Sequence, residues 1–134
     1  MMREILFRGK LVDDEEWVEG YYAHIKDVWK GRESHRIYSG TAETDCGEFY
    51  EDFFEVDPST VGEYTGLTDK NGKKIFEGDI VKLQMPGYEM NGQIIFEEAT
   101  FYIMEDDVCE VLWYEEAKFE VIGNIHDNPE LLEN

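Results

Sequence analysis

The sequence predicts a mainly β protein, with an SH3-like small barrel in the C-terminal half and a β-hairpin subdomain in the N-terminal half. Three observations support this fold class. Short segments alternate between apolar and polar residues, and turn residues separate them at intervals of roughly 8–12 residues. Aromatic residues, which favour half-buried strands, make up 14% of the chain. Such a pattern is typical of small barrels and sandwiches.

The N-terminal half contains both clear and ambiguous segments. Strands are expected at residues 4–12, 17–25 and, more weakly, 34–38. The acidic residues 13–16 predict a turn, and the locally basic stretch 26–32 predicts a solvated hairpin loop that carries Trp29. Aromatic residues at positions 49, 50, 53 and 54 fit one face of a helix, and they fit a bent strand pair nearly as well. The fold of residues 26–57 is therefore left open.

A segment punctuated by Pro and Gly, residues 58–62, divides the chain into an N-terminal β-rich subdomain, residues 1–60, and the barrel, residues 61–134. Just after it, Asn71-Gly72 stands between two short flanks and predicts a two-residue hairpin with a type I′ turn. A second Asn-Gly pair, at positions 91 and 92, precedes another strand. Further strands are expected at residues 80–85, 93–96, 101–104, 111–114 and 119–126, and a single helical turn at residues 127–132 with Pro at its first position.

Composition and charge exclude several classes of protein. The 134 residues carry 32 acidic and 12 basic side chains, which gives a formal charge of −20. Disordered chains are poor in aromatic residues, and sequence-independent nucleic-acid binding depends on Lys and Arg. Anionic membrane surfaces are disfavoured by the same repulsion. No run approaches the ~20 apolar residues of a membrane span, and no signal-peptide core is visible.

The cysteines and histidines give no metal-site motif. Cys46 and Cys109 lie far apart and outside any C-x-x-C spacing, so free thiols and a cytoplasmic location are expected. His24, His35 and His126 share no short metal-ligand spacing. No metal or cofactor is therefore expected.

Other candidate chemical groups also have simple structural interpretations. Asp69-x-Asn71 resembles the start of a calcium loop, but the glycine falls in the wrong register, which favours a hairpin turn. Pairs of acids that are adjacent in the sequence would point to opposite faces of a strand or be solvated in a turn, so they are not expected to act together as acid and base. No G-x-S-x-G motif surrounds a serine, so a serine nucleophile is not expected. These neighbouring acids are Asp13-Asp14, Glu97-Glu98, Asp106-Asp107 and Glu115-Glu116, and the serines considered are Ser34, Ser39 and Ser59. Trp17, Tyr21 and Tyr22 are expected to serve as core and edge packing.

Three motifs resemble a known family. They are REILFRG at residues 3–9, GEYTGLTDKNGKKIFEGDIV at residues 62–81 and FEVIGNIHDNPELL at residues 119–132. All three are similar to motifs of the YopX family of phage and prophage proteins, and the resemblance spans nearly the whole chain. It implies a β-rich, SH3-barrel-like architecture, assembly into oligomers and a bacterial host cell. It implies no catalytic residue.

The leading functional hypothesis is a non-enzymatic protein-interaction module that forms a homo-oligomer and has a host or phage protein as a possible partner. One alternative is an acidic mimic of DNA that inhibits a nucleic-acid-binding protein. Another is an enzyme or small-ligand binder whose site is assembled from distant strands. The mimic would use two acidic stretches, formed by Glu43, Asp45, Glu48, Glu51, Asp52, Glu55 and Asp57 and by Glu105, Asp106, Asp107, Glu110, Glu115 and Glu116.

Overall fold

The structure is a computed structural model that describes residues 4–44, 47–106, 108–111 and 118–132. It describes the side chains of these residues except at positions 40–44, 47–52 and 108–111. The chain forms two compact units, Met1–Glu63 and Tyr64–Asn134. No helix among the described residues is long and apolar enough to cross a membrane.

Eleven strands account for most of the described chain, which confirms the mainly β class. They are β1 (Phe7–Lys10), β2 (Trp17–Asp27), β3 (Arg32–Thr44), β4 (Gly47–Glu55), β5 (Gly62–Thr68), β6 (Lys74–Phe76), β7 (Asp79–Met85), β8 (Tyr88–Glu97), β9 (Thr100–Glu105), β10 (Val108–Val111) and β11 (Lys118–Asn124). Short 3-10 turns occur at Pro58–Thr60 and Pro129–Leu132. The second of these confirms the helical turn expected at the tail, with Pro at its first position.

The first unit is a series of antiparallel hairpins in the order β4-β3-β2-β1, and the first two residues of β5 pair with β1. The helical interpretation of positions 49–54 is wrong, because these residues lie in β4, which pairs with β3. Two residues just after β4 also donate backbone hydrogen bonds to other strands of this unit. Val56 N–H donates to the His35 carbonyl, and Asp57 N–H donates to the Lys10 carbonyl. Ile37 of β3 and Val56, which follows β4, are buried.

The second unit contains a five-stranded antiparallel sheet in the order β10-β9-β8-β7-β11. Alternate side chains of β7, β8 and β9 point to one side and form the core with a residue of β6. This core consists of Ile75, Val81, Leu83, Met90, Ile94 and Ile103. The two edge strands of this sheet, β10 and β11, do not pair with each other among the described residues. Closure of the sheet into an SH3-like barrel therefore stays a prediction.

The hairpin at Asn71-Gly72 forms as expected, but its predicted turn type is wrong. Gly72 N–H donates to the Asp69 carbonyl, and Asp69 N–H donates to the Lys73 carbonyl. Gly72 has φ of +82°, whereas neither Lys70 nor Asn71 has positive φ. These features define a type I turn followed by a glycine bulge, which gives a three-residue loop rather than a type I′ pair.

The second Asn-Gly pair lies inside β8, which begins at Tyr88 rather than after the pair. A β-carbon at Gly92 would lie 2.6 Å from Ile103 Cγ1 and 2.8 Å from the Met104 carbonyl oxygen. Glycine is needed here because β9 packs too closely for a side chain. The turn that precedes β8 uses Gly87, with φ of +76°.

Candidate functional site

One face of the first unit's sheet carries aromatic rings together with nearly equal numbers of cations and acids, although acids dominate the sequence. Side chains alternate between the two faces along each strand, and the pairing of β1 to β4 fixes which residues share a face. We call this surface the aromatic face. It consists of Trp17, Tyr21, Ile25, Tyr38 and Phe53, together with Arg8, Lys10 and Arg36.

A row of three rings crosses the aromatic face from β2 to β4. Tyr21 pairs with Tyr38, and Tyr38 pairs with Phe53. The Tyr38 and Phe53 ring centroids are 5.6 Å apart at 45°, a tilted contact. Tyr21 is 50% exposed and Phe53 is 49% exposed. The outer members of the row therefore present half of their surface to solvent.

Cations lie over these rings. The Arg36 guanidinium carbon is 4.1 Å from the Phe53 ring centroid, and Arg36 Nη1 donates to the Tyr38 hydroxyl at 3.3 Å. At the other end of the sheet, the Arg8 guanidinium lies 4.7 Å from the Trp17 ring centroid. Such contacts hold the rings and the charges in fixed positions and stabilise them by about 0.5–1 kcal/mol each at exposed sites.

The charge balance of the aromatic face differs from that of the whole chain. Among the side chains that the structure describes, four cations and three anions project from this face, a balance of one positive charge. They are Arg8, Lys10, Arg32 and Arg36, and Glu19, Asp27 and Glu55. The complete chain carries −20.

The tip of the β2–β3 hairpin is a second exposed apolar feature. Val28 is 85% exposed and Trp29 is 95% exposed. The Asp27 carboxylate accepts the N–H groups of Trp29 and Lys30, which fixes the turn. The solvated loop expected at residues 26–32 is therefore confirmed over the narrower range 28–31, since β2 ends at Asp27 and β3 begins at Arg32.

The opposite face of β2 and β3 brings together two histidines and an acid. His24 and His35 are directly paired, and their rings stack with centroids 4.2 Å apart. His24 Nε2 lies 3.2 Å from a Glu33 carboxylate oxygen. One ligand atom from each of the three residues lies within 4.8 Å of the other two. We call these residues the histidine cluster.

Tyr22 supports the histidine cluster from the neighbouring position on β2. Its hydroxyl is 2.5 Å from His35 Nδ1, and its ring packs against Phe7 with centroids 5.9 Å apart. Burial raises the pKa of the Tyr22 hydroxyl above its ordinary value of 10.0. The hydroxyl therefore stays protonated at neutral pH.

The three histidines share no short metal-ligand spacing in the sequence, and the expectation that no metal binds stays a prediction. The separation of His24 and His35 along the chain fits no short motif, and β2–β3 pairing places them opposite each other. A prediction that β2 and β3 form a hairpin with its turn at residues 28–31 would have revealed the pair. His126 lies in the second unit, outside the cluster.

Asp69 has a structural role, as the hairpin-turn interpretation expected. One carboxylate oxygen accepts the N–H groups of Asn71 and Lys73, and the other accepts the N–H group of Val121 in β11, all at 2.9 Å. This carboxylate thereby joins the hairpin loop to a strand 52 positions further along the chain. The sequence analysis missed this link.

The remaining predicted groups are dispersed. Asp13 and Asp14 are exposed in a turn, and so are Glu97 and Glu98 around the β8–β9 turn. Ser34 Oγ donates to Glu55, and Ser59 Oγ donates to Asp57. Asp107, Cys46 and the pair Glu115-Glu116 lie outside the described residues, as does the Cys109 side chain.

Most of the two acidic stretches also falls outside the described side chains. Their described members are Glu55, Asp57, Glu105 and Asp106. The DNA-mimic hypothesis therefore stays a prediction.

The first unit also contains a cleft. Its volume of about 290 Å³ is just below the usual volume of small-molecule sites. It is lined by Lys10, Leu11, Val12, Glu15, Asp57 and Pro58.

Comparison with known proteins gives both a family and a fold. The family model described as YopX protein matches residues 6–133. The crystal structure of protein EF1440 from Enterococcus faecalis is similar with a TM-score of 0.66 and 24% identity, over 98% of this chain and 100% of that one. Protein yopX from Bacillus subtilis is similar with a TM-score of 0.57 and 21% identity, over 98% and 100% of the two chains. No curated protein matches. At these identities, the structural likeness shows the fold alone.

Proposed function

The chain belongs to the YopX family, and we propose that it is a non-enzymatic protein-interaction module that self-associates through the aromatic face. The observation that carries the proposal is the row of Tyr21, Tyr38 and Phe53, whose outer rings are half-exposed, with Arg36 held over the Phe53 ring. Contiguous exposed apolar surface of this kind marks interaction sites. Tyr, Trp and Arg are also the residues that most often dominate binding energy in interfaces.

Charge favours a second copy of the chain as the occupant of the aromatic face. Two chains of −20 repel each other, so close approach costs least where the local charge is near zero. Among its described side chains, the aromatic face has a balance of one positive charge and offers such a surface. A two-fold arrangement places the same residues on both sides, so that Arg36 and the rings of one copy meet the rings and acids of the other.

The resemblance of the motifs extends this proposal to the setting of the protein. We place it in the cytoplasm of a bacterial host, encoded by a phage or prophage, with residues 61–134 as an SH3-like barrel. A host or phage protein is the alternative occupant of the aromatic face.

Light scattering coupled to size exclusion tests the self-association. The expected mass at tens of micromolar is a multiple of 15.7 kDa, and added salt should strengthen the assembly by screening the repulsion. The loss of one hot-spot side chain costs about 2 kcal/mol, which is about thirtyfold in affinity. Each substitution acts twice in a two-fold interface, so Tyr21→Glu and Phe53→Glu should each weaken association by at least this factor.

Two controls separate the aromatic face from other causes. Trp29→Glu adds the same charge at an exposed ring outside the face and should leave the mass unchanged. Phe53→Lys removes the ring without adding negative charge and should dissociate the assembly like Phe53→Glu. A monomer at every concentration and salt would overturn the proposal, and so would an assembly that responds only to Trp29→Glu. A monomer that retains a different protein only when the aromatic face is intact would identify the alternative occupant.

A further inference from the structure

We propose that His24, Glu33 and His35 form a binding site for a divalent transition-metal ion, with Zn²⁺ as the natural candidate. The three side chains come from the paired strands β2 and β3, and each offers a ligand atom within 4.8 Å of the others. Imidazole nitrogen and carboxylate oxygen are the ligands that zinc binds at about 2.0–2.2 Å. Rotation of a side chain can bring atoms at this separation onto one ion.

The pairing of the strands positions the two histidines. Directly opposite residues on one face of an antiparallel pair have β-carbons about 4.5–5.5 Å apart. At this separation, two imidazole rings can bind the same ion. The rings stack at 14° in this structure, so binding requires one ring to turn about its Cβ–Cγ bond. His24 is the ring that turns, because 37% of its side chain is exposed whereas His35 is held by the Tyr22 hydroxyl.

Tyr22 supplies the outer contact that a histidine ligand needs. When His35 Nδ1–H donates to the Tyr22 oxygen, the lone pair of Nε2 is free to bind the ion. Metal-ligating histidines almost always donate their second N–H in this way, and loss of that partner costs about 10–100-fold in affinity. The Tyr22 hydroxyl is therefore a positioning group rather than a ligand.

The donor set discriminates between metals. Two nitrogens and one carboxylate suit Zn²⁺, Ni²⁺, Cu²⁺ and Co²⁺, whereas Ca²⁺ and Mg²⁺ bind almost entirely through oxygen. This distinction matters in a chain with 32 acids, which attracts any divalent cation weakly. With three protein ligands, the fourth position is open to water, and the ion joins the exposed ends of β2 and β3.

Titration of the full chain with Zn²⁺, and with Co²⁺ as a coloured probe, tests the site. One ion per chain is expected, and Co²⁺ should give the strong visible absorption of a low-coordinate site. His24→Ala, His35→Ala and Glu33→Gln should each reduce Zn²⁺ affinity more than tenfold. His126→Ala removes a histidine outside the cluster and should leave the affinity unchanged.

Two further variants test the geometry without removing a ligand. Tyr22→Phe keeps the ring that packs on Phe7 and should weaken binding about tenfold. Lys26 lies opposite Glu33 on the same face, so Lys26→Gln removes a nearby positive charge and should strengthen binding severalfold.

The outcomes separate a built site from diffuse attraction to acids. Zn²⁺ binding that Ca²⁺ displaces at similar concentration would overturn the proposal. Equal loss of affinity in His126→Ala and His24→Ala would also overturn it, as would binding with no defined stoichiometry. Circular dichroism of each variant without metal confirms that the β-sheet content is unchanged, so that lost affinity reports the ligand and not the fold.

Discussion

Replacing Asp69 by Asn should destabilise the second unit far more than the loss of one surface charge would. The residue is 7% exposed, and its two carboxylate oxygens accept three backbone N–H groups, from Asn71, Lys73 and Val121. Asparagine has nearly the same shape but only one acceptor oxygen. Its amide group would then face a backbone N–H donor.

The magnitude follows from these bonds. If the asparagine oxygen keeps the two N–H groups of the hairpin loop, the Val121 N–H loses its acceptor, which costs about 1.5–3 kcal/mol for a bond to a charged group. The two retained bonds weaken because charge-assisted bonds are roughly twice as strong as neutral ones. The expected loss in the free energy of unfolding is about 3 kcal/mol, a large part of the usual 5–15 kcal/mol.

The effect should depend on pH with a defined sign. Burial raises the Asp69 pKa, but the N–H groups of Val121, Lys73 and Asn71 and the charge of Lys73 lower it more, so the pKa in the folded state lies below 3.8. A folded pKa below the unfolded value means that the carboxylate contributes its full stabilisation above pH 3.8. That stabilisation is lost as the pH falls through the lower folded value.

Urea unfolding followed by circular dichroism, measured from neutral to acidic pH, gives the difference between wild type and Asp69→Asn. Glu130→Gln, an exposed acid in the same unit, is the control and should change stability by less than about 0.5 kcal/mol. Hydrogen exchange at Val121 should rise specifically in Asp69→Asn. A difference near zero at neutral pH, or one that stays constant through the acidic range, would refute the reasoning.

Three other substitutions test the fold. Gly72→Val places a β-branched residue at φ of +82° and should cost about 1–3 kcal/mol, measured as a lower thermal midpoint, with Gly72→Ala less affected. Gly92→Ala should cost about 1–3 kcal/mol by overpacking, because its β-carbon would lie 2.6 Å from Ile103, and denaturant unfolding measures it. An unchanged midpoint in either would contradict the turn or the close packing. Ile94→Ala leaves a cavity at a fully buried position and should cost about 2–5 kcal/mol, and a loss below 1 kcal/mol would place Ile94 outside a tightly packed core.

The two Asn-Gly pairs show where sequence reasoning succeeds and where it stops. At Asn71-Gly72, the glycine is needed for its positive φ, a local property, and the hairpin was predicted. The predicted turn type is wrong because the Asp69 carboxylate accepts hydrogen bonds from the loop N–H groups, which favours a three-residue loop. At Gly92, the requirement comes from β9, a different strand, and no local pattern reveals it.

The aromatic face and the histidine cluster differ in the same way. The sequence predicted strands at residues 17–25 and, more weakly, 34–38, but it left the fold of residues 26–57 as a whole open. The pairing partners of Tyr38 and His35 were therefore unknown. Once β2, β3 and β4 are paired, alternation alone assigns Tyr21, Tyr38 and Phe53 to one face. The same pairing assigns His24 and His35 to the other face.

The sequence by itself determined the mainly β class, most strand positions, the turn at the hairpin tip around Trp29 and the family. These depend on alternation, turn residues and motifs, which act over a few neighbouring positions. Only the tertiary structure decided which side chains meet. The bond from Val121 N–H to Asp69 spans 52 positions, and the contact between His24 and His35 exists only in one register of β2 against β3. Ile37 of β3 is fully buried, and a shift of this register by one residue would move it, with every other side chain of the strand, to the opposite face.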